Sequence, residues 1–243
     1  MDLADRVALV TGAGRRLGRA MAAGLAEQGM AVAIHYHHST QGAERLRAEI
    51  VEAGGRAERF QADLTDPHSA LELPQRVAEK FGRLDVLVNS AAVMKPLRIE
   101  QTTPVEFDEI MNLNLRAPFF CAQAAIPALR ASRGRIVNIA DVGGLEPWTS
   151  FAAHSVSKAG LLMLTRVLAR ALAPEITVNA IAPGAVLLPE DWGDDVREYF
   201  VRSTPLKRVG SPEDVVNALL YLLKQGDYIT GETLVIDGGR LIR

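Results

Sequence analysis

The sequence has a single cysteine and no long apolar run. Cys121 is the only cysteine among 243 residues, so no disulfide can form within the chain. No apolar stretch approaches the ~20 residues that a membrane-spanning helix needs. The start, "MDLADRVALV", is acidic and leads directly into a strand pattern, so no signal peptide is predicted. These absences favour a cytoplasmic protein and give no sign of a membrane partner.

The chain also lacks an excess of either charge. Its 27 Lys and Arg residues against 29 Asp and Glu residues give a net charge of -2. Domains that bind nucleic acid usually carry a strong positive charge, so nucleic acid is not expected as a partner. The five histidines have no accompanying Cys or acidic residues at metal-ligand spacing, so no metal site is predicted. Cys121 lies in the apolar segment "PFFCAQAAI", which favours a core position over a nucleophile.

Apolar segments alternate with helical patterns along the whole chain. The predicted strands span 6–12, 30–36, 57–63, 84–91, 134–140, 176–184 and 233–239. The predicted helices span 15–29, 40–55, 67–81, 104–130, 152–173 and 212–223, with Pro118 and Pro127 as potential breaks and Ser211 as an N-cap. Strands that are apolar throughout and separated by helices form parallel sheets covered on both faces. The pattern predicts one doubly wound α/β domain over residues 1–243, with a seven-stranded, mainly parallel sheet.

Residues 185–210 interrupt the alternation. An insertion after the sixth strand lies beyond the carboxyl end of the sheet, which is the ligand side of this kind of fold. The segment is therefore predicted to be a substrate loop. Three aromatic residues of this segment, together with Met94 earlier in the chain, are candidates for a substrate pocket, although core packing suits each of them about equally well: Trp192, Tyr199 and Phe200.

The segment "TGAGRRLG" joins the first predicted strand to the first predicted helix. Gly12, Gly14 and Gly18 permit a tight turn and the close approach of a phosphate to backbone N–H groups at the helix start. Glycine spacing alone is a weak signal, but its place after the first strand of an alternating chain makes it stronger. The segment predicts a dinucleotide-binding (Rossmann) domain.

The end of the second strand, "HYHHST", contains no acidic residue. A carboxylate there would accept hydrogen bonds from an adenosine ribose and repel a 2′-phosphate. Cationic and hydroxyl side chains suit a phosphate instead, and the nearby ones are Arg15, Arg16, His35, His37, His38, Ser39 and Thr40. The pattern favours NADPH as cofactor over NADH. The alternative is that these residues are solvated loop side chains.

These motifs resemble those of the short-chain dehydrogenase/reductase family along the whole chain. Besides the glycine-rich loop, the matching segments are "QADLTD", "NSAA" at 89–92, "MNLNLRAPFF", "SVSKAG", "VNAIAPG" and "TGETLVIDGG". The resemblance implies that the cofactor contacts Gly12, Gly14, Arg15, Arg16, Leu17, Gly18, His37, His38, Ser39, Asp63, Leu64, Asn89, Ser90, Ala91, Lys158, Pro183 and Gly184. It also implies a homotetramer formed through the two long central helices and the last strand.

Within that family, the chain is most similar to pteridine reductases and dihydromonapterin reductases. It shares their Arg-rich first loop, a His-Tyr-His strand end and an ending like "DGGRLIR". It also has Asp141 where the wider family has a catalytic serine. The resemblance implies a pterin-like substrate in contact with Val93, Met94, Asp141 and Trp192. Val93 departs from the pattern, because pteridine reductases usually have an aromatic residue there that stacks on the pterin.

A second departure is His154, which stands where the family usually has its proton-donating tyrosine. His154 and Lys158 are four residues apart and share one helix face. The resemblance implies that Lys158 holds the nicotinamide ribose and that Asn114 holds a water linked to Lys158. Reduction by a nicotinamide requires a hydride from the cofactor and a proton from an acid, and histidine exchanges protons near neutral pH. An Asp141–His154 pair is therefore predicted as the proton donor.

The predicted function is NADPH-dependent reduction of a C=N or C=O bond in a pterin-like substrate. Two alternatives remain open. Val93 favours a generic carbonyl reductase that acts on ketones or quinones. The histidine at the tyrosine position favours a non-catalytic protein that binds NADPH and has a regulatory role, whereas the retained Lys158, Asn114 and Asp141 favour an enzyme.

Overall fold

A computed structural model describes residues 1–188 and 193–242. The strands are β1 (Val7–Val10), β2 (Ala31–Tyr36), β3 (Ala57–Gln61), β4 (Val86–Asn89), β5 (Arg135–Ile139), β6 (Thr177–Pro183) and β7 (Thr233–Ile236). The helices are α1 (Arg16–Glu27), α2 (Thr40–Glu52), α3 (Pro67–Phe81), α4 (Pro104–Met111), α5 (Ala117–Ser132), α6 (Ala152–Leu172), α7 (Asp194–Ser203) and α8 (Pro212–Lys224). The seven strands form one sheet in the order β3-β2-β1-β4-β5-β6-β7. Every neighbouring pair is parallel, which confirms the predicted doubly wound α/β architecture.

The sheet is covered on both faces, which explains why its central strands are apolar throughout. In β1, Ala8 and Val10 belong to the core on the side of α1 and α8, whereas Val7 and Leu9 belong to the core on the side of α3, α5 and α6. Successive strand residues point to opposite faces, so both faces must be apolar for a buried strand. Cys121 is fully buried in the second core, and burial raises the pKa of its thiol to about 12. The prediction of a core cysteine is confirmed.

The helix starts follow local sequence signals. Asp66 caps α3 by accepting hydrogen bonds from the backbone N–H groups of His68 and Ser69. Ser211 precedes α8 as predicted, and its N–H donates to the Asp214 carboxylate at 2.8 Å.

The region predicted as one helical stretch over 104–130 is instead two helices joined by a π-helical turn at 112–116. Pro118 lies in the first turn of α5, where its missing N–H costs little. Pro127 lies inside α5 without ending it, because the packing of that helix on the core holds it in place. The predicted break at Pro127 is wrong. The π turn contains Asn114, one of the predicted site residues.

The predicted substrate loop at 185–210 contains α7, a ten-residue helix. Tyr199 and Phe200 lie on this helix with their rings 5.5 Å apart in an edge-on contact. Trp192 falls outside the described residues. Among the residues that the structure describes, none of the helices has the length and apolar character to cross a bilayer.

Candidate active site

The predicted site residues gather at the carboxyl ends of the parallel strands. The glycine-rich loop follows β1, the segment 89–94 follows β4, and Asp141 follows β5. His154 and Lys158 lie in the first two turns of α6, which packs against the segment after β5. Ligands bind at this edge of a doubly wound sheet, so the topology brings the separate motifs into one site.

The glycine-rich loop has the close backbone packing that a dinucleotide site requires. Gly12 has a φ of +69°, and a Cβ added there would lie 2.9 Å from the Cα of Ala91. A Cβ on Gly14 would lie 2.8 Å from the Cβ of Ser39, and one on Gly18 would strike the carbonyl of Gly12. Side chains at these positions would push apart the backbone segments that pack around the loop. The loop therefore fits a nicotinamide dinucleotide, with its phosphates at the helix start.

The end of β2 presents two histidines and no carboxylate. The rings of His37 and His38 lie 3.6 Å apart, and both side chains are exposed. Asp63 lies across from them, with its Oδ1 atom 3.9 Å from Nδ1 of His37. Burial raises the pKa of the Asp63 carboxyl. The hydrogen bonds from Thr65 and the charge of the nearby His37 together lower the pKa by more, so the net shift is downward. The two histidines are among the side chains that the sequence predicts to contact the adenosine phosphate.

His35 does not face a phosphate, so its inclusion among the phosphate-binding side chains is wrong. The Gly12 N–H donates to its Nδ1 at 3.0 Å, and its Nε2 lies 3.1 Å from the carbonyl oxygen of Ala62. Burial lowers the pKa of His35 to about 4, so the ring is neutral at pH 7. His35 instead joins the glycine-rich loop to the segment after β3.

The two arginines of the loop lie in different surroundings. Arg15 is exposed at the N-cap of α1 and follows Gly14, which lies against Ser39. Arg16 has a φ of +51°, and its guanidinium donates to the carbonyl of Leu187 at 2.6 Å. Leu187 belongs to the segment after β6, so Arg16 contacts the substrate side of the site. The exposed Arg15 makes no such contact within the described residues.

The remaining predicted cofactor residues are held by buried contacts. The Asn89 side chain donates to Asn138 at 2.9 Å, and the hydroxyl of Thr11 accepts the N–H groups of Ser90 and Ala91 at 2.9 and 3.0 Å. Thr11 was not among the predicted residues, although its place in "TGAG" was a signal. The side chain of Leu64 is buried in the core on the side of α3, α5 and α6, so only its backbone can face a cofactor. The side chain of Leu17 is partly buried against the core on the opposite face of the sheet.

Pro183 ends β6, and Gly184 follows it. A Cβ on Gly184 would lie 2.8 Å from the Cβ of Asp237, so the backbone after β6 lies directly against the segment after β7.

Asp141 and His154 form a short, mostly buried pair. Nε2 of His154 lies 2.5 Å from Oδ2 of Asp141, and the other carboxylate oxygen accepts the N–H of Gly143 at 2.7 Å. Burial raises the pKa of the Asp141 carboxyl, but the hydrogen bond from His154 and the charges of His154 and Lys158 outweigh it, so the pKa lies below its usual value. The side chain of His154 is 3 % exposed and that of Asp141 is 19 % exposed. The more open side of the pair is therefore the carboxylate.

The opposite ring nitrogen of His154 faces the segment after β4. Nδ1 lies 3.2 Å from the carbonyl oxygen of Val93 and 3.4 Å from the side-chain nitrogen of Asn114. Asn114 also donates to the Val93 carbonyl and accepts the Val93 N–H, both at 2.9 Å, and donates to the Ser157 hydroxyl at 3.0 Å. With acceptors at both nitrogens, Asp141 and Val93, the contacts of His154 suit a protonated ring. Ser157 and this use of the Val93 backbone were missed in the sequence.

Lys158 is buried beside this pair. Its ammonium group donates to the carbonyl of Ile139 at 2.7 Å. Burial lowers the pKa of Lys158, and the charge of Asp141 opposes that shift in part. The residue that Lys158 contacts, Ile139, ends β5. Among the described residues, no direct hydrogen bond joins Lys158 to Asn114.

The predicted substrate residues are only partly brought together. Val93 joins the pair through its backbone, whereas Met94 is largely exposed. Trp192 lies outside the described residues. The sequence reasoning missed Trp148, whose ring is nearly parallel to that of His154, with centroids 6.3 Å apart. No group of three or more potential metal ligands occurs within residues 1–188 and 193–242.

A scan against protein-family models matches residues 12–240 to the family described as enoyl-(acyl carrier protein) reductase. A 3-oxoacyl-[acyl-carrier-protein] reductase of Staphylococcus epidermidis is 35% identical over 240 residues, covering 97% of this chain and 98% of the relative. A protein of the same name in Synechocystis is 35% identical and covers 99% of this chain and 98% of its own.

The fold is also similar to solved structures. A protein of Sinorhizobium meliloti described as a short-chain alcohol dehydrogenase superposes with a TM-score of 0.93 at 34% identity, covering 99% of this chain and 98% of the other. A short-chain dehydrogenase/reductase variant of Serratia marcescens gives a TM-score of 0.93 at 32% identity, covering 99% of both chains. Together with the glycine-rich loop and the cluster around Lys158, these matches show that the chain belongs to the short-chain dehydrogenase/reductase family, whose members are oxidoreductases that use a nicotinamide cofactor.

Proposed function

We propose that this protein is an NADPH-dependent reductase in which the Asp141–His154 pair supplies the proton. The observation that carries the proposal is the 2.5 Å contact between Nε2 of His154 and Oδ2 of Asp141, beside the buried Lys158. A proton shared by a carboxylate and an imidazole is a suitable general acid near neutral pH. The pair takes the place of the family's tyrosine.

The bound cofactor supplies a hydride for the reducible carbon. The chain's own residues then have three tasks. Lys158 places a positive charge next to the substrate side, and Asn114 fixes the Val93 backbone against which His154 rests. His154 passes its Nε2 proton by way of the more exposed Asp141 carboxylate to the oxygen or nitrogen of the substrate, which leaves His154 neutral and Asp141 ionised again. This arrangement differs from the sequence prediction, in which His154 itself faced the substrate.

The preference for NADPH rests on the end of β2. His37, His38 and Ser39 stand there without an acidic residue of β2, and Arg15 lies next to Ser39 through Gly14. Imidazole, hydroxyl and guanidinium groups suit a 2′-phosphate.

Two substrate classes have specific support. Asp141 at the serine position, the Arg-rich loop and the C-terminal segment support a pterin-like substrate with a reducible C=N bond. The curated relatives are named as 3-oxoacyl-[acyl-carrier-protein] reductases, and Val93 offers no aromatic ring for stacking, so a 3-oxoacyl C=O group is the second candidate. A generic ketone would use the same proton donor.

An NADPH-consumption assay tests the proposal. The substrates are dihydrobiopterin, dihydrofolate, dihydromonapterin, an acetoacetyl thioester, and simple ketones and quinones. We expect turnover of at least one of these, and loss of that turnover in His154→Ala. NADPH binding without turnover of any of them would support the non-catalytic alternative instead.

We also propose that the protein is a homotetramer. The support is the resemblance to the family together with an exposed apolar stripe on α6, formed by Val156, Met163 and Val167, each more than half exposed. Residues at this spacing share one face of a helix, so a second copy could cover them together.

A further inference from the structure

Arg240 lies at the same edge of the sheet as the candidate active site. It begins the short 3-10 turn at 240–242 that follows β7. Its side chain is only 11 % exposed, and its guanidinium carbon lies 4.8 Å from the ring centre of Phe200 on α7. A charged group is therefore enclosed between the C-terminal turn and the helix of the predicted substrate segment.

The guanidinium makes no side-chain hydrogen bond within the described part of the chain. Its Nε is buried without a hydrogen-bond partner. The carboxylate of Glu146 is 4.0 Å away, which is too long for a hydrogen bond. The same Glu146 oxygen accepts the indole N–H of Trp148 at 2.8 Å.

A buried guanidinium with unused donors is a costly arrangement. The Nε–H donor loses its water, and neither the Phe200 ring nor the carboxylate 4.0 Å away replaces that hydrogen bond. The planar fork of donors matches two oxygens of a carboxylate or a phosphate. An anionic ligand group would satisfy the donors that the chain itself leaves unused.

The position of Arg240 connects it to the proton-donating pair. Glu146 contacts both Arg240 and Trp148, and the Trp148 ring lies nearly parallel to the His154 ring at 6.3 Å. A run of side chains thus leads from the C-terminal turn to His154. A ligand lying along Trp148 would have one end at the pair and the other at Arg240.

We propose that Arg240 binds an anionic group, a carboxylate or a phosphate, that the substrate carries several bonds away from the double bond being reduced. The proposal rests on the proposed function for its reducible end, and it restricts the substrate class to anions. When no ligand is bound, Glu146 lies near the Arg240 guanidinium. Its hydrogen bond to the indole orients Trp148, whose ring lies along the path between Arg240 and His154.

Binding of unreactive probes tests the anionic end without turnover. Calorimetry on the full chain, with and without NADPH, compares hexanoate and hexyl phosphate with the neutral hexanamide. We expect at least one anion to bind roughly tenfold or more tightly than hexanamide, and the stronger of the two identifies the anion type. Arg240→Gln should remove the difference. Arg202→Gln, which removes an exposed arginine of α7, is the control and should leave it unchanged.

Steady-state kinetics test the same group in the reaction. The substrates are oxo-carboxylates from 4-oxopentanoate to 7-oxooctanoate, each beside its methyl ester. We expect the acids to have lower KM values than the esters, most clearly for the longer chains, and Arg240→Gln to bring the two KM values together. If Arg240→Gln does not fold, Arg240→Lys should keep a preference for the anion but weaken it several-fold, because an ammonium lacks the two-pronged fork.

The outcomes separate this inference from the proposed function. The role of Arg240 is overturned if hexanoate, hexyl phosphate and hexanamide bind with equal affinity, or if Arg240→Gln and Arg202→Gln bind them alike. Neutral substrates can still show reductase activity in that case. Arg240-dependent anion binding in a protein that reduces nothing supports the role of Arg240 and overturns the proposed reductase.

Discussion

The Asp141–His154 pair is the residue-scale feature on which the proposed chemistry depends. A tyrosine loses its proton only near pH 10 unless its surroundings help, whereas an imidazole exchanges protons near neutrality. The structure adds that the carboxylate is held by Gly143 and the imidazole by the Val93 backbone. Both partners are therefore fixed before substrate binds.

We expect kcat/KM for reduction to fall as the pH rises, because the pair loses the proton that it must donate. His154→Ala should reduce the rate by about 10²–10⁴. Asp141→Asn should reduce the rate by a similar factor at every pH, because an amide cannot pass the proton from His154 to the substrate. The measurement is the pH–rate profile of the three proteins.

The acid side of the same profile follows from the lowered pKa of Asp141. The carboxylate keeps its charge down to a pH below the ordinary value of about 3.9, so activity should not be lost through its protonation above about pH 4. His68→Ala, at an exposed position in the first turn of α3, serves as the control. Full activity and an unchanged profile in His154→Ala would show that the proton comes from elsewhere.

The loop arginines give a second residue-scale prediction. NADPH should bind more tightly than NADH. Arg15→Ala should reduce the difference between their binding free energies by roughly 1.5–3 kcal/mol. Arg16→Ala should reduce this difference in binding free energy by less, because the Arg16 guanidinium already donates a hydrogen bond to the carbonyl of Leu187. Calorimetric dissociation constants for both cofactors provide the measurement. Equal constants in the wild-type protein would contradict the preference, and a larger effect of Arg16→Ala would reverse the assignment of the two arginines.

At the scale of elements, His35 links two loops that hold the cofactor. It joins the turn after β1, through Gly12, to the turn after β3, through Ala62. Its neutral form accepts one hydrogen bond and donates the other, so protonation would remove the acceptor for Gly12. The position of the glycine-rich loop thus depends on the charge state of a residue in a strand.

The free energy of unfolding should reflect this charge state. In the unfolded chain His35 takes up a proton near pH 6.5, whereas in the folded protein it does so only near pH 4. The unfolded state therefore binds more protons between these values, and stability falls by up to about 3 kcal/mol as the pH drops from 6.5 to 4. His35→Asn retains an acceptor for Gly12 but does not titrate, so it should lose less stability over this range.

Urea unfolding at pH 7.5 and pH 4.5 measures the difference. His68→Asn is the matched control, because its imidazole is exposed and should leave the pH dependence as in the wild-type protein. Equal pH dependence in wild-type protein and His35→Asn would show that His35 does not control the stability of this region.

At the scale of the whole molecule, the exposed stripe on α6 predicts self-association. Met163→Glu should dissociate the proposed tetramer into smaller species, because a charge buried between copies loses its water. Val51→Glu on α2 changes another half-exposed apolar residue and should leave the assembly intact. Light scattering after size-exclusion chromatography gives the mass of each species. A wild-type protein that is monomeric at micromolar concentration would contradict the proposal.

The sequence by itself determined the seven strands and most of the helices between them, because apolar runs and helical periodicity are local properties of the chain. It did not show α7 or the π turn between α4 and α5. The turn after β1 was also determined locally, since Gly12 and Gly14 stand where the backbone needs them. Charge and family motifs also indicated His154, Lys158 and Asp141 as one group. None of these inferences required knowledge of which distant residues meet.

Only the tertiary structure decided what those side chains contact. His35 and His37 are two residues apart and look alike in the sequence, yet one is buried against Gly12 and the other is exposed. Their surroundings differ because β2 ends at Tyr36, so that His35 lies within the strand and His37 lies beyond it. Trp148 and Arg240 are separated by over ninety residues and meet through Glu146 only because β5 and β7 end at the same edge. Contacts of that kind depend on the packing of the whole sheet, which no local pattern encodes.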